Sequence, residues 1–222
     1  KLGSKLFITG KNKSQLKKTY EMLDGKNHNY YSFDLNSLDK MQDLLSKIFS
    51  NNLKYDGFVH CAGIHTFLPL NFVEIDNMRE AFNVNVFAPT LISKEFSKRK
   101  NYNINSSIVF ISSVMSFIGA SSLSVYSSSK AAQNGMMKSL AVELANKKIR
   151  VNSISASLID SKILDKVKNN LIKKSWHDLE KKHLLGFGNY DDLIPMIIYL
   201  LSNKSKWTTG SNMIIDGGFS SW

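Results

Sequence analysis

Two side chains near the middle of the sequence have the types and spacing needed to move a proton to or from an oxygen atom. Tyr126 and Lys130 are four residues apart in a predicted helix, so both project from the same face. A nearby ammonium stabilises tyrosinate, and we expect it to lower the pKa of the phenol towards neutral. Carbonyl reduction needs such an acid, because a proton must reach the alkoxide that forms when hydride arrives. The spacing alone is weak support, since chance predicts roughly one such pair in this chain.

Ser113 is a third candidate, thirteen residues before Tyr126 and just after the apolar run SIVFIS. Ligands of open parallel sheets bind beyond the carboxyl ends of the strands, so a residue at this point is expected to face the crevice. A hydroxyl there can hold a substrate oxygen and stabilise its charge. The alternative is a plain serine-rich turn, because Ser112 and Ser116 lie beside it.

The elements that must position these residues alternate along the chain. The predicted strands are Lys5–Thr9, Asn29–Asp34, Asp56–Cys61, Ser107–Ser112, Arg150–Ser155 and Asn212–Asp216. The predicted helices are Ser14–Leu23, Leu38–Phe49, Ile75–Lys98, Ser124–Asn146 and Asp191–Leu201. Alternation at this spacing predicts βαβ units with a parallel sheet and right-handed crossovers. The predicted class is therefore α/β, with a single domain over residues 1–222.

Residues 157–188 interrupt the alternation with a lysine-rich stretch that also holds Trp176 and Phe187. An insertion before the last helix and strand is a natural place for a lid over a site. A solvated helical hairpin is the alternative. Four lysines of this region could receive an acidic carrier protein or could simply face solvent: Lys162, Lys166, Lys173 and Lys174.

Composition limits the possible classes of protein. The formal net charge is +11, but the lysines are scattered and arginine occurs only at Arg79, Arg99 and Arg150, which indicates a solvated basic surface rather than a nucleic-acid interface. No apolar run approaches the roughly 18 residues of a membrane span, so no membrane partner is predicted. The single cysteine, Cys61, excludes an intrachain disulfide and fits a reducing compartment, with the cytoplasm as the expected location.

The segment from Ser107 to Ser155 resembles the central part of the short-chain dehydrogenases/reductases. In that family a strand ending in the catalytic serine precedes YxxxK, a long helix and a strand of the form IRVNSI. Four further matches follow in the family's order: the FDL of Phe33–Leu35, the HCAGI of His60–Ile64 (for its NNAG turn), the NVNVFAP of Asn83–Pro89 and the TTGSNMIIDGGF of Thr208–Phe219. The resemblance covers essentially the whole chain.

The resemblance implies a Rossmann-like, doubly wound parallel sheet with helices on both faces, and a role for each matching residue. Tyr126 would be the general acid or base, Lys130 would bind the nicotinamide ribose and Ser113 would orient the carbonyl. Asn85 would anchor a water that passes protons to Lys130, by a local distortion of its helix. Further cofactor contacts are implied at Asp34, Leu35, Cys61, Ala62, Gly63, Ile159 and Ser161. Relatives also commonly pair the helices Ile75–Lys98 and Ser124–Asn146, which implies a homodimer or homotetramer.

The largest departure from the family pattern is at the start of the chain, where no glycine-rich TGxxxGxG loop occurs. The distance from Lys11 to Asp34 suits the second strand's end and the adenine turn, so LFITGKN resembles the second strand. The first strand and its glycine loop would then be absent from the sequence, and we expect the native protein to begin upstream of Lys1. The rival interpretation keeps LFITG as the first strand and deletes the second with its helix.

Two smaller departures concern the turns beside the nicotinamide. Cys61 replaces the second Asn of NNAG, where a structural role is favoured over a reactive thiol. Ser155-Ala156-Ser157 stands where the family has Asn-Pro-Gly, which puts the backbone near the nicotinamide in doubt.

The cofactor preference depends on the end of the second strand. Lys11 and Asn12 stand there instead of an acidic residue, and a cation can pair with a 2′-phosphate, so NADP is favoured with NAD as the alternative. If these lysines only belong to the general basic surface, this preference has no basis.

These observations predict an oxidoreductase that interconverts a carbonyl and a secondary alcohol, with a small-molecule or carrier-bound substrate of the 3-oxoacyl kind among the possibilities. A catalytically impaired scaffold of the same fold is one alternative, supported only by the absent phosphate loop. A basic nucleic-acid-binding domain is another, supported only by net charge.

Overall fold

The structure is a computed structural model that describes residues 3–50, 53–170 and 173–221. The strands are β1 (Phe7–Gly10), β2 (Asn29–Ser32), β3 (Tyr55–His60), β4 (Tyr102–Ser113), β5 (Arg150–Ala156) and β6 (Asn212–Ile215). The helices are α1 (Lys13–Glu21), α2 (Met41–Phe49), α3 (Ile75–Phe82), α4 (Ala88–Phe96), α5 (Ser124–Glu143), α6 (Lys162–Asn170), α7 (Lys173–Lys182) and α8 (Tyr190–Leu201). A π-helix, Asn83–Phe87, joins α3 to α4.

All strand pairs in the described part of the chain are parallel, which confirms the predicted sheet type. The strands β3, β4, β5 and β6 form one four-stranded sheet in that order. The β4–β5 ladder runs from Ser107 opposite Arg150 to Ser113 opposite Ala156. Ser113 therefore lies at the carboxyl edge of the sheet, where the sequence placed it.

Helices cover both faces of the four-stranded sheet, as a doubly wound fold requires. Ile108 and Phe110 of β4 pack with Met137 of α5 on one face. Val109 between them packs with Leu193 and Leu200 of α8 on the other face. This alternation follows from the period of two in a strand, and it explains why SIVFIS is apolar throughout.

β1 and β2 form a separate two-stranded sheet. Among the described residues no ladder joins β1 to β3, and all four residues of β1 are only partly buried. This pairing fits the interpretation of LFITG as the second strand of the family pattern, because the first strand would lie beside the strand that we label β3.

The predicted lid region contains the helices α6 and α7. Its return segment is attached to the body of the fold, since Leu185 N donates to Gly217 O at 3.0 Å. The two ends of the region are joined to each other, since Asp160 N donates to Gly188 O at 2.7 Å. The side chains of the four lysines proposed as a carrier contact, Lys162, Lys166, Lys173 and Lys174, lie outside the described part of the structure.

Candidate active site

Tyr126 and Ser113 meet at the carboxyl edge of the sheet. Ser113 is the last residue of β4, and Tyr126 lies in the first turn of α5. Both side chains are buried. The Ser113 hydroxyl lies beside the Tyr126 phenol, and its oxygen accepts from Met115 N at 3.2 Å. The His65 ring packs against the phenol ring with 4.6 Å between the centroids.

The expected lowering of the Tyr126 pKa is wrong for this structure. Burial raises the pKa of the phenol, and the hydrogen bond from Ser113 opposes that rise only in part. Lys130 does not reverse the shift, because its Nζ lies 6.0 Å from the centre of the Tyr126 ring and is bonded elsewhere. Tyr126 is therefore protonated at neutral pH, which is the state that a general acid needs.

Lys130 is a buried cation with specific acceptors. Its Nζ donates to Ile111 O at 2.8 Å and lies 3.4 Å from Gln133 Oε1. Burial lowers the pKa of the ammonium to about 8, and the nearby Cys61 opposes this shift. Of the three ammonium N–H groups, two are thus directed at protein acceptors, and a third remains available.

Asn85 lies in the π-helix and holds three parts of the site together. Its side chain is fully buried, accepts from Ile64 N at 2.9 Å and donates to Ile64 O at 3.1 Å. The same amide donates to Ser129 Oγ at 2.9 Å. The turn after β3 is thereby fixed to α5, and the predicted distortion of the helix around Asn85 is present as the π-helix.

Pro89 gives a physical reason for this distortion. Proline has no N–H, so it cannot pair with the carbonyls four and five residues before it, those of Asn85 and Val84. Side chains donate to both carbonyls instead. His60 Nε2 lies 3.1 Å from Val84 O, and Gln133 Nε2 lies 2.9 Å from Asn85 O.

The HCAGI turn follows β3 and borders Lys130. Cys61, Ala62 and Gly63 are exposed as residues, but burial of the Cys61 thiol raises its pKa, against the opposing charge of Lys130. A raised thiol pKa agrees with a structural role for Cys61 rather than a reactive one. A Cβ added to Gly63 would lie 3.5 Å from both Lys130 Nζ and Asn85 Oδ1, so this glycine brings bare backbone close to the ammonium.

The candidate adenosine residues lie at the ends of β1 and β2. Lys11 Nζ and Asp34 Oδ2 form an ion pair of 2.8 Å. Burial would raise the pKa of Asp34, but hydrogen bonds from Lys11 and Asn36 N outweigh it and the pKa is lowered. Asn12 caps α1 by accepting from Gln15 N at 3.0 Å. The Leu35 side chain packs in the core with α2 and α4, so only its backbone can face a ligand.

Ile159 and Ser161 lie on the segment between β5 and α6. Ile159 forms an isolated parallel bridge with Gly188, which ties the two ends of the lid region together. Ser157, just before them, has its Oγ 2.8 Å from Nε2 of the buried His183. The His183 ring stacks on Phe219 with 4.6 Å between the centroids, so the lid region also contacts the C-terminal segment.

The structure brings Ser113, Tyr126, Lys130, Asn85 and the Cys61–Gly63 turn together, and it brings Lys11 and Asp34 together at a second point. Sequence reasoning missed His60, His65 and Gln133. Gln133 had one signal, because it lies three residues after Lys130 and so shares its helix face. Its bond with Asn85 O could not be foreseen, because that acceptor comes from the π-helix.

Comparisons with known proteins agree with this arrangement. A family model described as Enoyl-(Acyl carrier protein) reductase matches residues 1–220. The chain is 30% identical to L-xylulose reductase of Caenorhabditis elegans over 187 residues, which cover 81% of the chain and 71% of that protein. It is 28% identical to 3-oxoacyl-(acyl-carrier-protein) reductase FabG of Rickettsia felis over 219 residues, which cover 98% and 87%.

A solved structure is similar over nearly the same extent. A mutant of 4-hydroxyisoleucine dehydrogenase, complexed with NADH and succinate, matches the chain with a TM-score of 0.87 and 27% identity. The match covers 97% of this chain and 88% of that one.

Proposed function

The chain belongs to the short-chain dehydrogenase/reductase family, and from this premise we propose that Tyr126 is the general acid and base of its reaction. The chain is an NAD(P)H-dependent oxidoreductase that interconverts carbonyl and alcohol groups. The observation that carries the assignment of Tyr126 is its burial next to Ser113 at the carboxyl edge of the sheet, with Lys130 Nζ 6.0 Å from the centre of its ring.

The residues at this edge fit the nicotinamide half of the cofactor. Lys130 has an N–H available beside the bare backbone of Gly63, which suits a ribose hydroxyl. The cofactor supplies the hydride when it is bound. The described residues include no glycine-rich phosphate loop. They therefore support binding of the nicotinamide and adenosine ends of the cofactor, and they include no group for its pyrophosphate.

Each side chain has a definite task in the proposed reduction. Ser113 donates a hydrogen bond to the carbonyl oxygen of the substrate and holds it beside the phenol. Tyr126 then releases its proton to that oxygen as negative charge develops there. The Lys130 ammonium stabilises the tyrosinate that remains, and in alcohol oxidation the same proton returns to Tyr126.

Changing Tyr126 to Phe tests this assignment, because the change deletes a hydroxyl and little else. We expect kcat with NADPH and a panel of ketones to fall by about 10²- to 10⁴-fold. The dissociation constant for NADPH, read from its fluorescence, should change by less than about twofold. Tyr20→Phe, the same change on the distant helix α1, is the control and should keep full activity. Full turnover in Tyr126→Phe would refute the mechanism.

The preference for NADP is part of the proposal and depends on Lys11. A 2′-phosphate at the end of β1 would receive a charge-assisted hydrogen bond from Nζ, because the Lys11 side chain is 70% exposed and already contacts an anion there. The partly exposed Asp34 carboxylate competes for the same ammonium. The substrate is proposed to be a small-molecule or carrier-bound carbonyl compound of the 3-oxoacyl kind, and the location is proposed to be the cytoplasm.

Assembly into a homodimer or homotetramer is proposed through α3, α4 and α5. Large apolar side chains are exposed on this stretch: Ile75, Met78, Phe87 and Val142. Exposed apolar surface of this kind marks contact sites between proteins. Light scattering of the purified chain should give a mass of two or four times 25.1 kDa, and a monomer at micromolar concentration would contradict the assembly. No helix in the described residues is long and apolar enough to span a bilayer.

A further inference from the structure

Gln133 is a fully buried amide between two members of the reaction centre. Its Nε2 donates to Asn85 O at 2.9 Å, and its Oε1 lies 3.4 Å from Lys130 Nζ. Gln133 follows Tyr126 by seven residues and Lys130 by three on the same face of α5. The amide therefore bridges the ammonium and the π-helix.

Burying an amide costs free energy unless both of its ends find partners. At this position they do, and both partners need the amide. Pro89 leaves the Asn85 carbonyl without its usual helical donor, and Lys130 needs acceptors because it is buried. An apolar residue at position 133 would leave both groups short of a hydrogen bond.

We propose that Gln133 is a positioning residue of the reaction centre, whose amide fixes the Lys130 ammonium relative to Asn85. This proposal rests on the function proposed above. The side chain spans the gap in which the family resemblance implies a water between Asn85 and Lys130. Lys130 is therefore linked to the π-helix by a permanent group of the protein.

The expected pH dependence follows from the groups around Lys130. The titratable neighbours are Cys61 and His60 from β3 and its turn, and Tyr126 from α5. Reduction requires the charged form of Lys130, so the rate should fall as pH rises through the pKa of about 8. Removing an acceptor disfavours the ammonium, so the alkaline limb should move to lower pH in Gln133→Leu.

A pair of substitutions separates a polar bridge from mere packing. Gln133→Leu keeps the volume but removes the amide, whereas Gln133→Ala leaves space that water can enter and bridge. We expect kcat at pH 7 to fall about tenfold in Gln133→Leu, as for loss of a hydrogen bond to a charged group, and less in Gln133→Ala. We expect thermal stability to fall in the opposite order, because the alanine leaves a cavity. If kcat follows stability instead, the residue only fills space and the proposal is wrong.

A second measurement needs neither cofactor nor turnover. In protein labelled with ¹³C at lysine Cε, the Lys130 signal is assigned by its loss in Lys130→Met. Its titration midpoint should be lower in Gln133→Leu than in the native protein, and higher in Gln133→Glu, where a carboxylate favours the ammonium. Asn134→Leu is the matched control, since Asn134 lies on the same helix but donates to Ser116, and its midpoint should not move.

The two proposals fail in different ways. Full turnover in Tyr126→Phe would reject the proposed function, while the lysine titration would still decide the role of Gln133. An unchanged midpoint in both Gln133→Leu and Gln133→Glu would reject the positioning role, even with Tyr126 established as the acid.

Discussion

At the scale of single residues, the ion pair between Lys11 and Asp34 determines how an anion can bind at the end of β1. Lys11 must share its ammonium with the carboxylate, which lies 2.8 Å away. Asp34 is partly exposed and its pKa is lowered, so it remains an anion at neutral pH. A ligand phosphate must therefore compete with the Asp34 carboxylate for the Lys11 ammonium.

We predict that Lys11→Ala weakens the binding of NADPH about tenfold and leaves the binding of NADH nearly unchanged. Asp34→Asn should strengthen NADPH binding, because it releases the ammonium from its competitor. Fluorescence titration with each cofactor gives the two dissociation constants. Lys17→Ala, which removes an exposed lysine on α1, is the control for general surface charge. Equal losses for NADPH and NADH in Lys11→Ala would contradict the NADP preference.

At this scale the sequence predicted which candidate side chains meet better than it predicted their electrostatics. That Ser113, Tyr126 and Lys130 lie close together could be predicted because helix periodicity and strand ends fix where side chains point, while their roles were implied by the family resemblance. The pKa of Tyr126 could not, since it depends on burial by residues from other parts of the chain, such as His65. The partners of Gln133 depend in the same way on how α5 packs against the π-helix.

At the scale of elements, the π-helix depends on a histidine at the end of β3. His60 Nε2 donates to Val84 O, and the ring is almost completely buried. Burial lowers the pKa of His60 to about 3, with a further lowering by the charge of Lys130. His60 is therefore neutral in the folded protein and carries its hydrogen on Nε2.

This burial predicts a loss of stability in acid. The folded pKa of about 3 lies below the unfolded value of 6.5, so the unfolded chain binds the extra proton between these limits and stability falls as pH falls. Between pH 7 and pH 5 the loss from this one group should be about 2 kcal/mol in the free energy of unfolding. Urea unfolding at the two pH values measures it.

His60→Gln should remove that part of the pH dependence while still offering an amide to Val84 O. An identical loss between pH 7 and pH 5 in the native protein and in His60→Gln would show that His60 is not the group responsible.

The elements themselves were largely predictable, and their irregularities were not. All six strands and the five predicted helices are present within a few residues of their expected ends, because apolar periodicity is a local property. The helix predicted over Ile75–Lys98 is divided by the π-helix, which Pro89 and distant donors produce together. β4 begins earlier than predicted, at Tyr102. The segment YNINS is polar, so no apolar pattern marks it, but its backbone continues the strand.

At the scale of the whole molecule, the parallel sheet followed from the βαβ alternation, and the covering of both faces was implied by the family resemblance. The lid region did not, since its attachment uses single contacts such as Ser157 with His183 and Leu185 with Gly217. These contacts join residues that are more than 25 positions apart, and no local sequence pattern predicts them. The two helices of the insertion were one of the alternatives that the sequence left open.

The separation of the β1–β2 ladder from the other four strands affects which part of the molecule opens by local unfolding. In the described residues, β4 and β5 are paired on both sides, and β5 and the second half of β4 are almost fully buried, whereas β1 is paired on one side and partly accessible. Local opening of β1 and β2 therefore need not disturb the strands that carry Ser113. Such regions exchange their amide hydrogens at a lower free energy than the centre of a domain, so the strand ends at Lys11 and Asp34 can loosen while Ser113 and Tyr126 stay together.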